Sequence, residues 1–173
     1  MNERKPLVSV VMPVHNAQKY IGSAIESILN QTLKDLELII VNDCSTDKTL
    51  DIIISFSKRD ARIKILNNKM RLDIAASLNK GIRTAQSNII ARMDSDDISL
   101  TNRLILQYEL INSSKDIVAV GSDIIIINST GDEIGLRKYP NSSTELKNCL
   151  FKYSPFAHPV VMFRKDVFEE VGG

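Results

Sequence analysis

At 173 residues, 43% of them hydrophobic and 25% charged, the chain is long enough for one globular domain with a substantial core. Its 22 basic and 21 acidic residues leave a formal net charge of +1, which gives no electrostatic footprint for a nucleic acid or an acidic membrane surface. Selectivity has to come from a local site. No apolar stretch approaches the roughly eighteen residues of a transmembrane segment, and Met1–Pro6 is polar and basic without a hydrophobic signal core. Cys44 and Cys149 are too few for a disulfide framework and match no zinc spacing, so the chain reads as a cytoplasmic protein with reduced thiols.

In chain order, Leu7–Pro13 predicts a buried strand closed by a proline that cannot donate to a ladder. After the turn Val14-His15-Asn16, the apolar positions Ile21, Ala24, Ile25, Ile28 and Leu29 recur at helical spacing, with Asn16 as the expected cap. Leu36–Val41 is a second apolar strand, ending in N-D-C-S-T-D before a helix over Lys48–Lys58, for which Ser45 or Asp47 is the expected cap. Ile63–Leu66 predicts an edge-like third strand, Ile74–Ala85 a third helix, and Ile89–Met93 a fourth strand. Four successive strand-helix units imply a three-layer α/β sandwich whose central sheet is mostly parallel. Further on, a helix over Leu100–Ile111 precedes an unusually long β-rich run, Ile117–Ile127, which Asn128–Asp132 turns into a hairpin with Glu133–Lys138. Ser143–Phe151 predicts a helix capped by Ser142 or Ser143, Val160–Phe163 a last strand and Asp166–Val171 a last helix. The helix-and-glycine ending at Gly173 suggests a single domain, residues 1–173, truncated at its C-terminal end.

The chemistry is expected where the fourth strand ends, at Asp94, Asp96 and Asp97. In a parallel sheet the carboxyl ends of the strands open onto the ligand crevice. Continued extension would point Asp94 and Asp96 the same way, as a pair of hard oxygen ligands for Mg²⁺ or Mn²⁺. A calcium loop is excluded because Ile98 and Ser99 stand where an oxygen ligand and a glycine are needed. A glycosidase-type acid and base pair suits residues from different elements better. A solvated turn that caps the following helix remains the commoner fate of an isolated Asp-x-Asp, so the surroundings decide.

Two surroundings bear on it. The exits of the first two strands, Pro13–Asn16 and Asn42–Asp47, open on the same edge and supply donors and acceptors able to read a base, with the His15 ring available to pack beside a planar ligand. There is also no G-x-G-x-x-G after the first strand and no Walker motif, so helix-terminal amides are not the evident phosphate cradle. Carboxylates near 4 Å from a phosphate repel it by about 4 kcal/mol per pair of unit charges in a partly screened site. A phosphate and this acidic cluster are therefore compatible only through a bridging cation.

The segments V-S-V-V-M-P-V-H-N, E-L-I-I-V-N-D-C-S-T-D (Glu37–Asp47), L-N-K-G-I (Leu78–Ile82) and A-R-M-D-S-D-D (Ala91–Asp97) together resemble the family 2 glycosyltransferases, which have the A-type nucleotide-diphospho-sugar transferase fold, Rossmann-like in its sheet. The later A-H-P-V-V-M-F-R-K (Ala157–Lys165) resembles members that build bacterial surface polysaccharides. The resemblance implies inverting transfer of a sugar from a nucleoside diphosphate, usually UDP, to a hydroxyl of a glycan or lipid-linked acceptor, in the cytoplasm or peripherally at the inner membrane. By position it implies Pro13, His15, Asn16, Asp43, Ser45 and Arg71 around the nucleotide, Asp94 on the ribose or sugar, and Asp96, with Asp94 beside it, for Mn²⁺ or Mg²⁺. His158 is the acceptor-side candidate, and the family's catalytic base is expected after Gly173. Two departures stand out: Cys44 and Asp73 occupy positions where glycine is frequent. A non-catalytic nucleotide-sugar-binding module and a sugar-nucleotide pyrophosphorylase are the alternatives; the second lacks its glycine-rich basic signature after the first strand.

Overall fold

The computed structural model describes residues 5–149, 152 and 154–172. Its first strand, β1 (Val8–Val14), is buried along its whole length, as is β2 (Leu36–Asn42), which explains why both segments are nearly continuous in apolar residues. β3 (Ile63–Asn67) lies at the sheet edge and β4 (Ile89–Arg92) on the other side of β1. These four strands pair in parallel in the order β3-β2-β1-β4, as the strand-helix rhythm predicts. The helices between them are α1 (Ile21–Leu29), α2 (Thr49–Ser57) and α3 (Ile74–Thr84), and α4 (Arg103–Asn112) follows β4.

Side-chain alternation along β1 divides the core into two layers. Val8, Val10, Met12 and Val14 pack with Ile21, Ile25 and Ile28 of α1, Ile53 of α2 and Leu104 and Ile111 of α4. Val11 faces the other way, with Ile39, Val41 and Ile90, against Ile82 of α3. That layer is unusually tight at Gly81, where an added Cβ would collide with the Val11 side chain. The glycine of the L-N-K-G-I segment is thus a packing requirement of helix on sheet.

The second half departs from the expected layout. The run Ile117–Ile127 is not one strand: it splits into β5 (Ala119–Val120) and β6 (Ile124–Ile127). Gly121, against which the Phe156 ring packs, and Asp123, whose carboxylate accepts from the Tyr139 amide, take the intervening residues out of the ladder. β6 and β7 (Glu133–Arg137) form a separate two-stranded sheet around the expected Asn128–Asp132 turn, with Gly131 at φ 92. Ile125, Ile126, Ile134 and Leu136 of this hairpin are exposed. α5 (Ser143–Cys149) is capped by the Ser142 hydroxyl, which accepts from the Glu145 amide; the last two residues expected in it, Leu150 and Phe151, lie outside the described set.

The expected last strand begins two residues late. His158–Val160 is a single 3-10 turn, and β8 (Met162–Arg164) then runs antiparallel between β4 and β5, giving the sheet order β3-β2-β1-β4-β8-β5. α6 (Lys165–Glu170) follows, and Gly172 adopts φ 94 just past it, as a helix-stop glycine does. Among the described residues no helix is long and apolar enough to cross a membrane.

At the amino ends of the strands a buried carboxylate joins four segments. Glu37, 4% exposed, accepts from the Ser9 hydroxyl and the Gln86 amide and is ion-paired to Lys64 at 2.7 Å. Burial pushes its pKa up, but the Lys64, Ser9 and Gln86 partners outweigh burial and hold it below the ordinary carboxylate value of 4.5. A depressed carboxyl stabilises the fold above that value and loses the contribution as the pH falls through its folded pKa. Glu37→Gln should therefore lower the urea midpoint at neutral pH and leave little difference from wild type once the carboxylate is protonated. Gly81→Ala should destabilise by about 1–3 kcal/mol through overpacking against Val11, exceeding the roughly 1 kcal/mol that alanine gains in helix propensity; the same unfolding curves read it.

Candidate functional site

The sheet order reverses at β1, which has β2 on one side and β4 on the other, so the crevice of an open α/β sheet falls at their carboxyl ends. A cleft of about 400 Å³ lies there. Its walls include Pro13 and His15 from the β1 exit, Asp43 from the β2 exit, Arg71 and Asp73 before α3, and Asp94 and Asp96 beyond β4.

The first two exits are fixed to each other. The Asp43 amide donates to the Val14 carbonyl at 2.8 Å, and His15 Nδ1 lies 2.7 Å from the Asp43 carbonyl oxygen. A carbonyl only accepts, so Nδ1 is the nitrogen that donates here. Asn16 and Cys44 both have left-handed backbone, φ 50 and 55. Asn16 does not cap α1: its side-chain oxygen accepts from the Thr46 amide at 2.8 Å, and its own amide donates to the Ser45 hydroxyl. α1 begins after Tyr20 without a side-chain cap, while Asp47 takes both the Gln18 amide and the Thr49 amide at the start of α2. The left-handed turn at Cys44 explains why glycine suits that position, and the thiol there donates to the Asn68 carbonyl.

Asp43 is the buried centre of this wall. Its Oδ1 accepts from Asn68 Nδ2 and from the Leu72 amide, both at 2.8 Å. Among the described residues nothing donates to Oδ2, so one carboxylate oxygen is held in place and the other is left for a ligand donor. Asn68 is itself fixed by Ser77 and Lys80. Asp73 has φ −81 and caps α3 through the Ala76 amide, so it fits without a glycine-like backbone.

The opposite wall is the acidic turn. β4 ends at Arg92, and the chain turns at Ser95 and Asp96 instead of continuing the pleat; the Asp97 amide closes back on the Asp94 carbonyl. Asp94 and Asp96 share the cleft because of this turn, not because of strand alternation. Arg92 Nη2 pairs with Asp94 Oδ1 at 2.9 Å, while its Nε and Nη1 are buried without hydrogen-bond partners among the described residues. Burial and the nearby Asp96 raise the Asp94 pKa, against the pull of Arg92 and of His158. Asp97 is pushed up to about 6 by burial and by Asp94 and Asp96, with Arg103 and Arg92 opposing. Arg103, partly buried, is lowered to about 10 by desolvation, against the opposing Asp97; it remains a cation at neutral pH and donates to the Arg92 carbonyl at 2.7 Å.

Of the residues singled out from sequence, Pro13, His15, Asp43, Arg71, Asp94 and Asp96 meet in the cleft. Asn16 and Ser45 lie outside its lining and join the two exits. His158 sits on the 3-10 turn beside β4, close enough for its charge to act on Asp94. Sequence reasoning missed Gln31, fully buried at the end of α1, whose amide bonds to the Ser99 and Leu100 carbonyls and accepts from the Leu104 amide. It also missed Arg103 and Gln107 beneath the acidic turn; a lone buried amide or guanidinium carries no local pattern.

Among the described residues no three His, Cys, Asp or Glu side chains are gathered into a metal cage. The cleft offers at most two carboxylates on one turn, one of them half-occupied by Arg92. That donor set suits Mg²⁺ or Mn²⁺, which take one or two carboxylates and complete their shell with phosphate and water.

Comparison with known proteins gives the lineage. The chain is 40% identical over 164 residues to the O-antigen biosynthesis glycosyltransferase WbnJ of Escherichia coli, covering 93% of this chain and 63% of the relative. It is 34% identical over 169 residues to the putative glycosyltransferase EpsE of Bacillus subtilis, covering 97% and 60%. The mannosyltransferase PcManGT of Pyrobaculum calidifontis, solved with GDP-Man and Mn²⁺, superposes with a TM-score of 0.73 at 18% identity, over 98% of this chain and 48% of that one. TarS of S. aureus (residues 1–349) in complex with UDP gives 0.67 at 21%, over 95% and 48%. The chain thus spans less than two thirds of these relatives and shares their three-layer α/β fold. Residues 9–172 match the family described as Glycosyl transferase family 2, and the chain belongs to that family.

Proposed function

We propose that this chain is the donor-binding part of an inverting glycosyltransferase that moves a sugar from a nucleoside diphosphate, UDP in our reading, to a hydroxyl of a glycan or lipid-linked acceptor in bacterial polysaccharide synthesis. The observation that carries the reading is the pairing of two walls across one switch-point cleft: Asp43 with one oxygen fixed and one free, and the turn holding Asp94 and Asp96. A carboxylate so held accepts a ring N–H of a base, and the His15 ring beside it, its Nδ1 engaged by the Asp43 carbonyl, packs against the base or the ribose. Asp94, oriented by Arg92, accepts from sugar or ribose hydroxyls. Arg71 lies on the same cleft and adds positive charge toward the phosphates.

Asp96, with Asp94 beside it, would hold Mn²⁺ or Mg²⁺ on the diphosphate. When bound, the cation supplies Lewis-acid stabilisation of the charge that grows on the departing diphosphate. The acceptor hydroxyl needs a general base, which we assign to none of the described residues; His158 faces the acceptor side. This reading puts the reaction in the cytoplasm, with peripheral association at the inner membrane where the acceptor is lipid-linked. It is supported by the WfgD relative of Escherichia coli, named a UDP-Glc β-1,3-glucosyltransferase acting on a diphosphoundecaprenol acceptor, which is 34% identical over 145 residues.

Calorimetric titration with UDP and with GDP, each with Mn²⁺ and with EDTA, tests it. UDP should bind more tightly than GDP and only weakly without metal. Asp96→Ala should abolish the metal dependence, and Asp43→Ala should weaken binding by about 1–3 kcal/mol with or without metal. UDP binding that neither EDTA nor Asp96→Ala changes would overturn the metal assignment, and no binding of either nucleotide would overturn the donor site itself.

A further inference from the structure

Beneath the cleft, two side chains one turn apart on α4 form a hydrogen-bonded strut. Arg103 Nη2 donates to the Arg92 carbonyl at 2.7 Å, at the foot of the acidic turn. Arg103 Nε donates to Gln107 Oε1 at 3.2 Å, and Gln107 Nε2 donates to the Val160 carbonyl at 2.7 Å. Val160 ends the 3-10 turn that begins with His158. The chain of bonds therefore runs from the segment carrying Asp94 and Asp96 to the segment carrying His158. A second bond, from the Arg92 amide to the Val161 carbonyl at 2.8 Å, joins the same two segments at the level of the backbone.

The chemistry fixes the direction of each bond. A guanidinium can only donate and a carbonyl can only accept, so the residue between them must accept at one end and donate at the other. A carboxamide does both across a rigid plane. Glutamate would accept from Arg103 but set a carboxylate against the Val160 oxygen, and methionine would satisfy neither end. Gln107 is 5% exposed, so water does not readily replace a lost partner.

We infer that Gln107 is a positioning residue: together with the Arg92–Val161 backbone bond it sets the separation between the donor-facing acidic turn and the turn that presents His158. The inference rests on the donor-site reading above and goes beyond it by naming what holds the two sides of the reaction in register. A purely structural role for Gln107, docking α4 on the sheet, would change stability without changing that separation.

The test exploits the presence of only two histidines, His15 and His158. In the 173-residue chain, paramagnetic broadening of the two imidazole resonances by Mn²⁺ with UDP, referenced to Mg²⁺ with UDP, reads the distance from the ion to each ring. In wild type both resonances should broaden. In Gln107→Met the broadening of His158 should change while that of His15 stays, with the UDP dissociation constant unchanged within about threefold. Should Gln107→Met fail to fold, Gln107→Glu makes the same comparison, since it keeps the acceptor for Arg103 and loses only the donor to Val160. Unaltered His158 broadening in the variant that folds overturns the inference while leaving the donor site intact. A parallel loss of UDP affinity and of both histidine signals overturns it too, as a general structural effect. No broadening of either histidine in wild type overturns the donor-site reading and this inference with it.

Discussion

Everything at the cleft hangs from the double pairing of β1. The strand is held in register to β2 along its whole length, from Val8 with Leu36 to Val14 with Asn42, and to β4 from Ser9 with Ile90 to Val11 with Arg92. Because both neighbours are parallel, the three strands leave the sheet on the same side, and the polar turns that follow are brought together although they lie far apart in sequence. A one-residue slip in either ladder would swap the two faces of a strand that is buried on both, with α1 below and α3 above. The register is therefore strongly specified, and so is the relative height of Asp43 and the acidic turn.

Placing three carboxylates within four residues is the main electrostatic cost of the arrangement. The fold meets it with two partly buried arginines from different elements. Arg92 comes from the strand itself and pairs with Asp94; Arg103 comes from the start of α4 and faces Asp97. Even so, the Asp97 carboxyl is held near the edge of ionisation, at about 6.

Much of the fold was legible because burial on both faces writes itself into sequence. The apolar runs of β1, β2 and β4 and the helical spacing of Ile21, Ala24, Ile25 and Ile28 survive as elements and as core. Polar residues with two possible partners were read less well. Asn16 looked like a helix cap and instead bridges to Thr46, because the β2 exit, distant in sequence, competes for its side chain. The run Ile117–Ile127 looked like one strand since its β propensity is unbroken except at Gly121-Ser122-Asp123, and only the Phe156 and Tyr139 contacts show that the chain leaves the sheet there. The Asp94 and Asp96 pair was legible from family motifs, whereas the turn that aims it depends on Gln31, Arg103 and Gln107. Each of those acts across more than fifty residues or through backbone oxygens, which no local pattern records.

The β6–β7 hairpin has a practical bearing of its own. Four consecutive isoleucines face Arg137, Leu136, Gly135 and Glu133 across a ribbon that joins no other strand among the described residues and exposes apolar side chains on both surfaces. A ribbon with two open rims whose strands carry no net charge, Glu133 offsetting Arg137, is a template on which further ribbons can grow. In solution, crowding of this chain should therefore feed ordered clumping that begins well away from the cleft, and a lysine in place of Ile126 would be the gentlest way to blunt it.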